Sequence, residues 1–125
     1  MLHTSKRIRV LIADGDDDVR IELAGALQHL GCEVAHSVAT GAEAARLVEA
    51  GHVADVACVD VDLDDAPRAQ HAARRASAAG MVVIALASNG HVPSGFPGEA
   101  IVAKPFSIYQ LREVFGAIAR LRRHG

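Results

Sequence analysis

The sequence predicts an α/β protein, a doubly wound parallel sheet of five strands. Three observations carry that expectation. Short apolar bursts of four to six residues alternate with stretches of helical spacing along the chain. The bursts are nearly continuous, as in strands covered on both faces. Charged residues stand at the carboxyl ends of several of them, where such sheets place their sites.

The elements follow in order. Residues 8–13 form a compact apolar run and read as the first strand. Val19, Leu23, Ala26, Leu27 and Leu30 then recur at helical spacing, and Gly31 supplies the stop. Residues 32–37, "CEVAHS", alternate and read as the second strand. Thr40 and Glu43 make a capping box that opens a helix over 42–50, closed by Gly51. Residues 55–60 are a buried third strand ending in Asp60. Pro67 suits the first turn of an Ala-rich helix running to Ala79, with Gly80 after it. Residues 82–86 and 100–103 are strands four and five. Ser107 and Gln110 form a second capping box before a helix whose stripe is Ile108, Leu111, Val114, Phe115, Ile118 and Leu121.

At 125 residues the chain fits one domain, expected over 8–125 with a tail over 1–7. Half the residues are hydrophobic but only 3 % are aromatic, so Val, Leu, Ile and Ala must fill the core. A net charge of −2 argues against nucleic acid as a bulk electrostatic partner. Cys32 and Cys58 lie in apolar segments and read as reduced core residues. The stretch "MLHTSKR" holds no apolar signal region, and no apolar run approaches spanning length. A cytoplasmic location with no membrane contact is expected. The seven histidines (3, 29, 36, 52, 71, 91, 124) lack metal spacing and read as surface or capping residues.

Strand one ends in Asp14, strand three in Asp60, strand four in Ala87 and Ser88, and strand five in Lys104 and Pro105. Strand-end aspartates often cap helices. Convergence from three strands is harder to dismiss, because crowded carboxylates need a cation. A lysine and a hard metal such as Mg²⁺ would supply it.

"VLIADGDDDVR", "DVACVDVDL", "VVIALAS" and "KPF" fall in the order and approximate spacing of the receiver domain of two-component response regulators, so the chain resembles that CheY-like family over roughly residues 8–121. The resemblance implies a flavodoxin-like fold with strand order 2-1-3-4-5. It implies a stand-alone receiver in phosphorelay signalling, a module and not an enzyme. Phosphate would come to Asp60 from a histidine kinase or phosphotransfer protein, assisted by Mg²⁺, and the signal would go to an output protein. By the same resemblance Lys104 neutralises a phosphoryl oxygen, and the Lys104–Pro105 bond is commonly cis. Asp14 and Asp60 would be metal ligands, with the backbone carbonyl of Asp62. A homodimer is also allowed.

Three departures point to a degenerate site. Gly15 stands where the family has its second acid, which should weaken Mg²⁺ by at least ~10–100-fold. Asp16 turns toward the helix start as a cap, with Asp17 and Asp18 as first-turn acids; rescue by Asp16 or Asp62 is the alternative. The acidic run is no calcium loop, since Val19 and Gly25 stand where that pattern needs Gly and Glu. Ala87 replaces a family Thr or Ser whose hydroxyl binds the phosphoryl group. Ser88 comes one position late, where strand alternation reverses the facing. Ile101 replaces the aromatic that moves on activation.

Between strands four and five, "NGHVPSGFPGEA" carries two prolines and three glycines. The helix that receivers place there is expected to be short or missing, with Val92 and Phe96 packing a loop as the alternative. Arg120, Arg122 and Arg123 are expected to complement the last helix's carboxyl end rather than bind DNA or an acidic partner. Two other functions stay open. One is a pseudo-receiver, an interaction module working without phosphate. The other is a phosphatase-like hydrolase using Asp60, for which no convincing pocket or general acid is evident. A flavin binder is disfavoured, because acids follow strand one where a phosphate cradle would be needed.

Overall fold

The computed structural model describes residues 7–124, with side chains to residue 122. The expected tail over 1–7, apart from Arg7, therefore lies outside the described residues, as do His3 and the side chains of Arg123 and His124.

The elements run β1 (Arg9–Ala13), α1 (Asp17–His29), β2 (Glu33–Val38), α2 (Gly41–Glu49), β3 (Val56–Asp60), α3 (Ala66–Ala78), β4 (Val82–Ser88), β5 (Ala100–Lys104) and α4 (Ile108–His124). All strand pairs are parallel, in the order β2-β1-β3-β4-β5. This is the expected flavodoxin-like sheet, and most element ends move by only one or two residues. The caps explain the shifts. Asp16 Oδ1 accepts the N–H groups of Asp18 and Val19, so α1 starts before its first apolar residue. Thr40 Oγ1 accepts the Glu43 N–H at 3.1 Å, and Ser107 Oγ accepts that of Gln110 at 3.1 Å. Cys32 falls before β2, whose half-buried residues do not alternate cleanly. That strand lies at the sheet edge, and its register with β1 shifts between Val10 and Leu11.

Alternate strand residues feed two cores. Leu11, Ala13, Ala57, Val59 and Val83 meet α2 and α3. Val10, Ile12, Val56, Cys58, Ile84, Leu86 and Val102 meet Leu23 and Leu27 of α1 and Leu111, Phe115 and Ile118 of α4. Cys32 and Cys58 are buried free thiols, and burial pushes Cys58 up to about 12.

No helix lies between β4 and β5. Residues 89–99 form a loop that enters through a positive φ at Asn89. Val92 and Phe96 pack on Val61, Ala85 and Ala87, while Gln70 and Arg74 of α3 donate to the Ser94 and Gly95 carbonyls. The loop covers the sheet where a third helix on that face would lie. Arg122, in the last turn of α4, also reaches Asp55, before β3, with its guanidinium at 3.7 Å.

Candidate functional site

At the carboxyl edge of the sheet, where chain order reverses between β1 and β3, lies a cleft of about 920 Å³. Asp14, Asp16, Asp60, Asp62, Ser88, Lys104 and Pro105 all line it. Register explains the meeting of the first two acids. Ala13 pairs with Val59, so the next residues, Asp14 and Asp60, leave neighbouring strands side by side.

Lys104 comes from farther away. β4 lies between β3 and β5, so the three groups do not come from three adjacent strands. The lysine's long stem crosses the end of β4. Its Nζ lies 2.9 Å from Asp14 Oδ2 and 3.2 Å from Asp60 Oδ1. The two carboxylates are only 1 % and 6 % exposed. The other Asp14 oxygen accepts the Asp16 N–H at 2.9 Å, and Asp60 Oδ1 accepts the Asp62 N–H at 2.9 Å. Among the described residues no buried side-chain nitrogen or oxygen lacks a partner.

Two buried carboxylates share one ammonium. Burial, and then the Asp14 charge, push the Asp60 carboxyl above its usual range, against the Asp62 N–H and Lys104. For Lys104, burial pulls the pKa down, but Asp14 and Asp60 outweigh it and hold the ammonium above its usual value.

The acids around this trio are differently occupied. Asp16 spends its carboxylate on the α1 cap. Asp17 pairs with Arg20, whose guanidinium also donates to the Asp14 carbonyl. Asp62 is exposed at the cleft wall. The donors suit a hard cation in kind, being carboxylate oxygens of Asp14 and Asp60 at the lining of the cleft. They are few in number. Among the described residues no three His, Cys, Asp or Glu side chains gather in a metal-holding group.

Asp65 is the residue that sequence reasoning missed. Its two oxygens accept the N–H groups of Gly41 and Ala42, each at 2.9 Å, tying the cleft wall to the start of α2. Nothing local marked it, because its partners lie 24 and 23 residues away. Burial raises its pKa, but the N–H groups of Gly41, Ala42 and its own backbone, with Arg68, lower it further, so the carboxyl sits below its usual range.

Ser88 corrects an expectation. It ends β4 opposite Lys104, shares the facing of Ile84 and Leu86, and lines the cleft. Ala87 faces the other way, fully buried beneath Val92 and Phe96. Ile101, which stands in place of the family's aromatic, is 46 % exposed. The Lys104–Pro105 bond is cis.

No family model and no curated protein matches the chain. Solved structures do. A response regulator receiver protein from Sinorhizobium medicae is 22 % identical, with a TM-score of 0.79 over 94 % of this chain and 98 % of that one. The signal receiver domain of a modulated diguanylate cyclase from Desulfovibrio desulfuricans is 24 % identical, with a TM-score of 0.78 over 96 % and 100 %. A CheY-like receiver domain protein from Methanospirillum hungatei is 21 % identical, with a TM-score of 0.78 over 96 % and 100 %. The chain has the receiver-domain fold.

Proposed function

We propose that the chain is a response regulator receiver domain that accepts a phosphoryl group on Asp60, inefficiently, from a histidine kinase or phosphotransfer protein. The observation that carries this reading is the gathering of Asp14, Asp60 and Lys104 in one cleft, on a fold shared with receiver domains. In this reading an Asp60 carboxylate oxygen forms a bond to phosphorus. The bond from phosphorus to the donor's histidine nitrogen breaks, and the nitrogen keeps the electron pair. Lys104, held among the acids, neutralises an oxygen of the transferred group. Asp14, Asp60 and the Asp62 carbonyl would hold Mg²⁺, which supplies further charge neutralisation when bound. With Gly15 giving no ligand and Asp16 committed to its cap, Mg²⁺ binds weakly.

Among the described residues no helix is long and apolar enough to cross a membrane. A cytoplasmic signalling module is the matching location. Ile101, Tyr109 and Leu121 remain exposed on β5 and α4, where an output protein or a second copy can dock.

Incubation with acetyl phosphate and magnesium, followed by intact mass, tests the proposal. A phosphate-sized gain that disappears in Asp60→Asn is expected. No gain at high magnesium overturns phosphoryl acceptance and leaves the second reading, a pseudo-receiver. The observation favouring that alternative is Ala87, sealed under the loop with no hydroxyl to offer.

A further inference from the structure

The histidines have no metal spacing along the chain, but the fold brings two of them together. His36 of β2 and His52, just beyond α2, have ring centres 5.5 Å apart and planes at 73°. Both line a cavity of about 380 Å³ between the sheet edge and α2, walled also by Val38, Glu43, Arg46 and Leu47. This cavity shares no lining residue with the carboxylate cleft.

Two local devices aim the rings at each other. Val34 packs with the core under α1 and α4, whereas Val38 packs with the core under α2 and α3. An unbroken strand would put both on one face. The register shift resolves this: β1 advances from Val10 to Leu11 while β2 advances from Val34 to His36, so Ala35 is an extra residue. An extra residue of this kind re-aims the side chains that follow it. His36 thereby joins Val38 on the α2 side. At the other wall the chain leaves α2 through Gly51, with φ +87°, and the His52 N–H donates to the Leu47 carbonyl at 2.9 Å. That bond holds His52 against the end of the helix.

We infer that His36 and His52 form a binding site for a divalent transition metal of the zinc class, each giving one ring nitrogen, with water completing the coordination. Imidazole nitrogen suits zinc, copper and nickel, whereas magnesium takes oxygen. Two imidazoles on one tetrahedral ion, at nitrogen–metal distances of about 2.0–2.1 Å, put their ring centres about 5 Å apart. The observed separation is close to that spacing. Arg46 repels a dication, and Glu43 on the same wall offsets it, with one oxygen accepting the Thr40 hydroxyl at 3.1 Å. Among the described residues neither ring has an ion-pair partner, whereas His71 has Glu49 at 3.5 Å. No third His, Cys, Asp or Glu among them completes a metal-holding group, so binding is weaker than at a closed four-ligand centre. A bound ion ties the edge strand β2 to the end of α2. The site does not depend on the receiver reading.

Calorimetric titration of the full chain with Zn²⁺ alone, in a buffer that does not chelate it, tests the site. Loss of a direct ligand should weaken zinc binding by about tenfold or more in His36→Ala and in His52→Ala. His29→Ala and Asp60→Asn should leave that binding event unchanged. Zinc should also raise the Tm of the parent but not of the two ligand variants. His52 is exposed, so His52→Ala should fold and carries the test by itself if His36→Ala does not. A parent that binds no zinc, or a His52→Ala variant that binds it at full strength, overturns the site and leaves the ring pair as aromatic packing. Loss of the binding event in Asp60→Asn would put the zinc in the carboxylate cleft and overturn it equally.

Discussion

A side chain at residue 15 would meet no clash at its Cβ. A Cβ there would lie 3.6 Å from Leu63 Cδ2 and 3.8 Å from the Ala39 carbonyl oxygen, ordinary contact distances. Nothing steric demands the glycine, so Gly15→Asp should fold normally. It should also tighten Mg²⁺ by about tenfold or more, read by calorimetric titration; unchanged affinity would show that residue 15 is not the deficiency. The buried trio has the opposite balance. Asp60 carries a raised pKa, so its ionised form weakens the fold, and stability falls as pH rises from the unfolded pKa through the folded one. Asp60→Asn, without divalent cation, should therefore stabilise the protein at neutral pH by about 1 kcal/mol, or roughly 4 °C in Tm. That gain should vanish below the ordinary carboxylate range, where both states are protonated. A thermal melt series across pH checks it.

At the scale of elements, α2 and α3 meet so closely that a Cβ on Gly41 would stand 2.3 Å from the Ala69 nitrogen. Ala69, Ala72, Ala73 and Ala76 are all buried in this contact, the small residues letting the two helices approach. Asp65 pins the junction by accepting both leading N–H groups of α2. Its lowered pKa gives a definite sign: the stability it contributes is present above the unfolded pKa and is lost as pH falls through the folded value. Asp65→Ala should cost about 1 kcal/mol at neutral pH. The difference from the parent should shrink below about pH 4 as the parent's carboxyl protonates. Denaturant melts at neutral and acidic pH measure both. A constant gap would mean that the carboxylate's charge does not serve the cap.

For the whole molecule, the departure from a regular doubly wound layout is the loop over 89–99. Two prolines remove N–H groups that a helix would need, and its glycines at 90 and 95 have positive φ. Burial of Phe96 against Val61, Ala85 and Ala87 substitutes for a helix face. Phe96→Ala should lower stability by roughly 2 kcal/mol, less than for a fully buried Phe because the ring is half-buried. Phosphate acquisition at Asp60 should persist, since Phe96 does not line the cleft. Paired melts and mass measurements separate the two. A wholesale loss of phosphorylation in a folded variant would tie the loop to the site.

Local chemistry carried most of this protein into view. Apolar bursts and helical spacing marked every element, because burial on one or both faces leaves its period in the chain. The prolines and glycines after β4 marked a missing helix for the same local reason. Strand ends at Asp14, Asp60 and Lys104 were equally legible. What only the tertiary structure decided are the relations between segments: the crossing of β4 by Lys104, the Asp65 clamp on α2, the tight approach of Gly41 to Ala69, and Ser88 facing the cleft while Ala87 faces the loop. These depend on register and on contacts between residues far apart in sequence, and a strand's period of two states that neighbours oppose each other without stating which one faces the site.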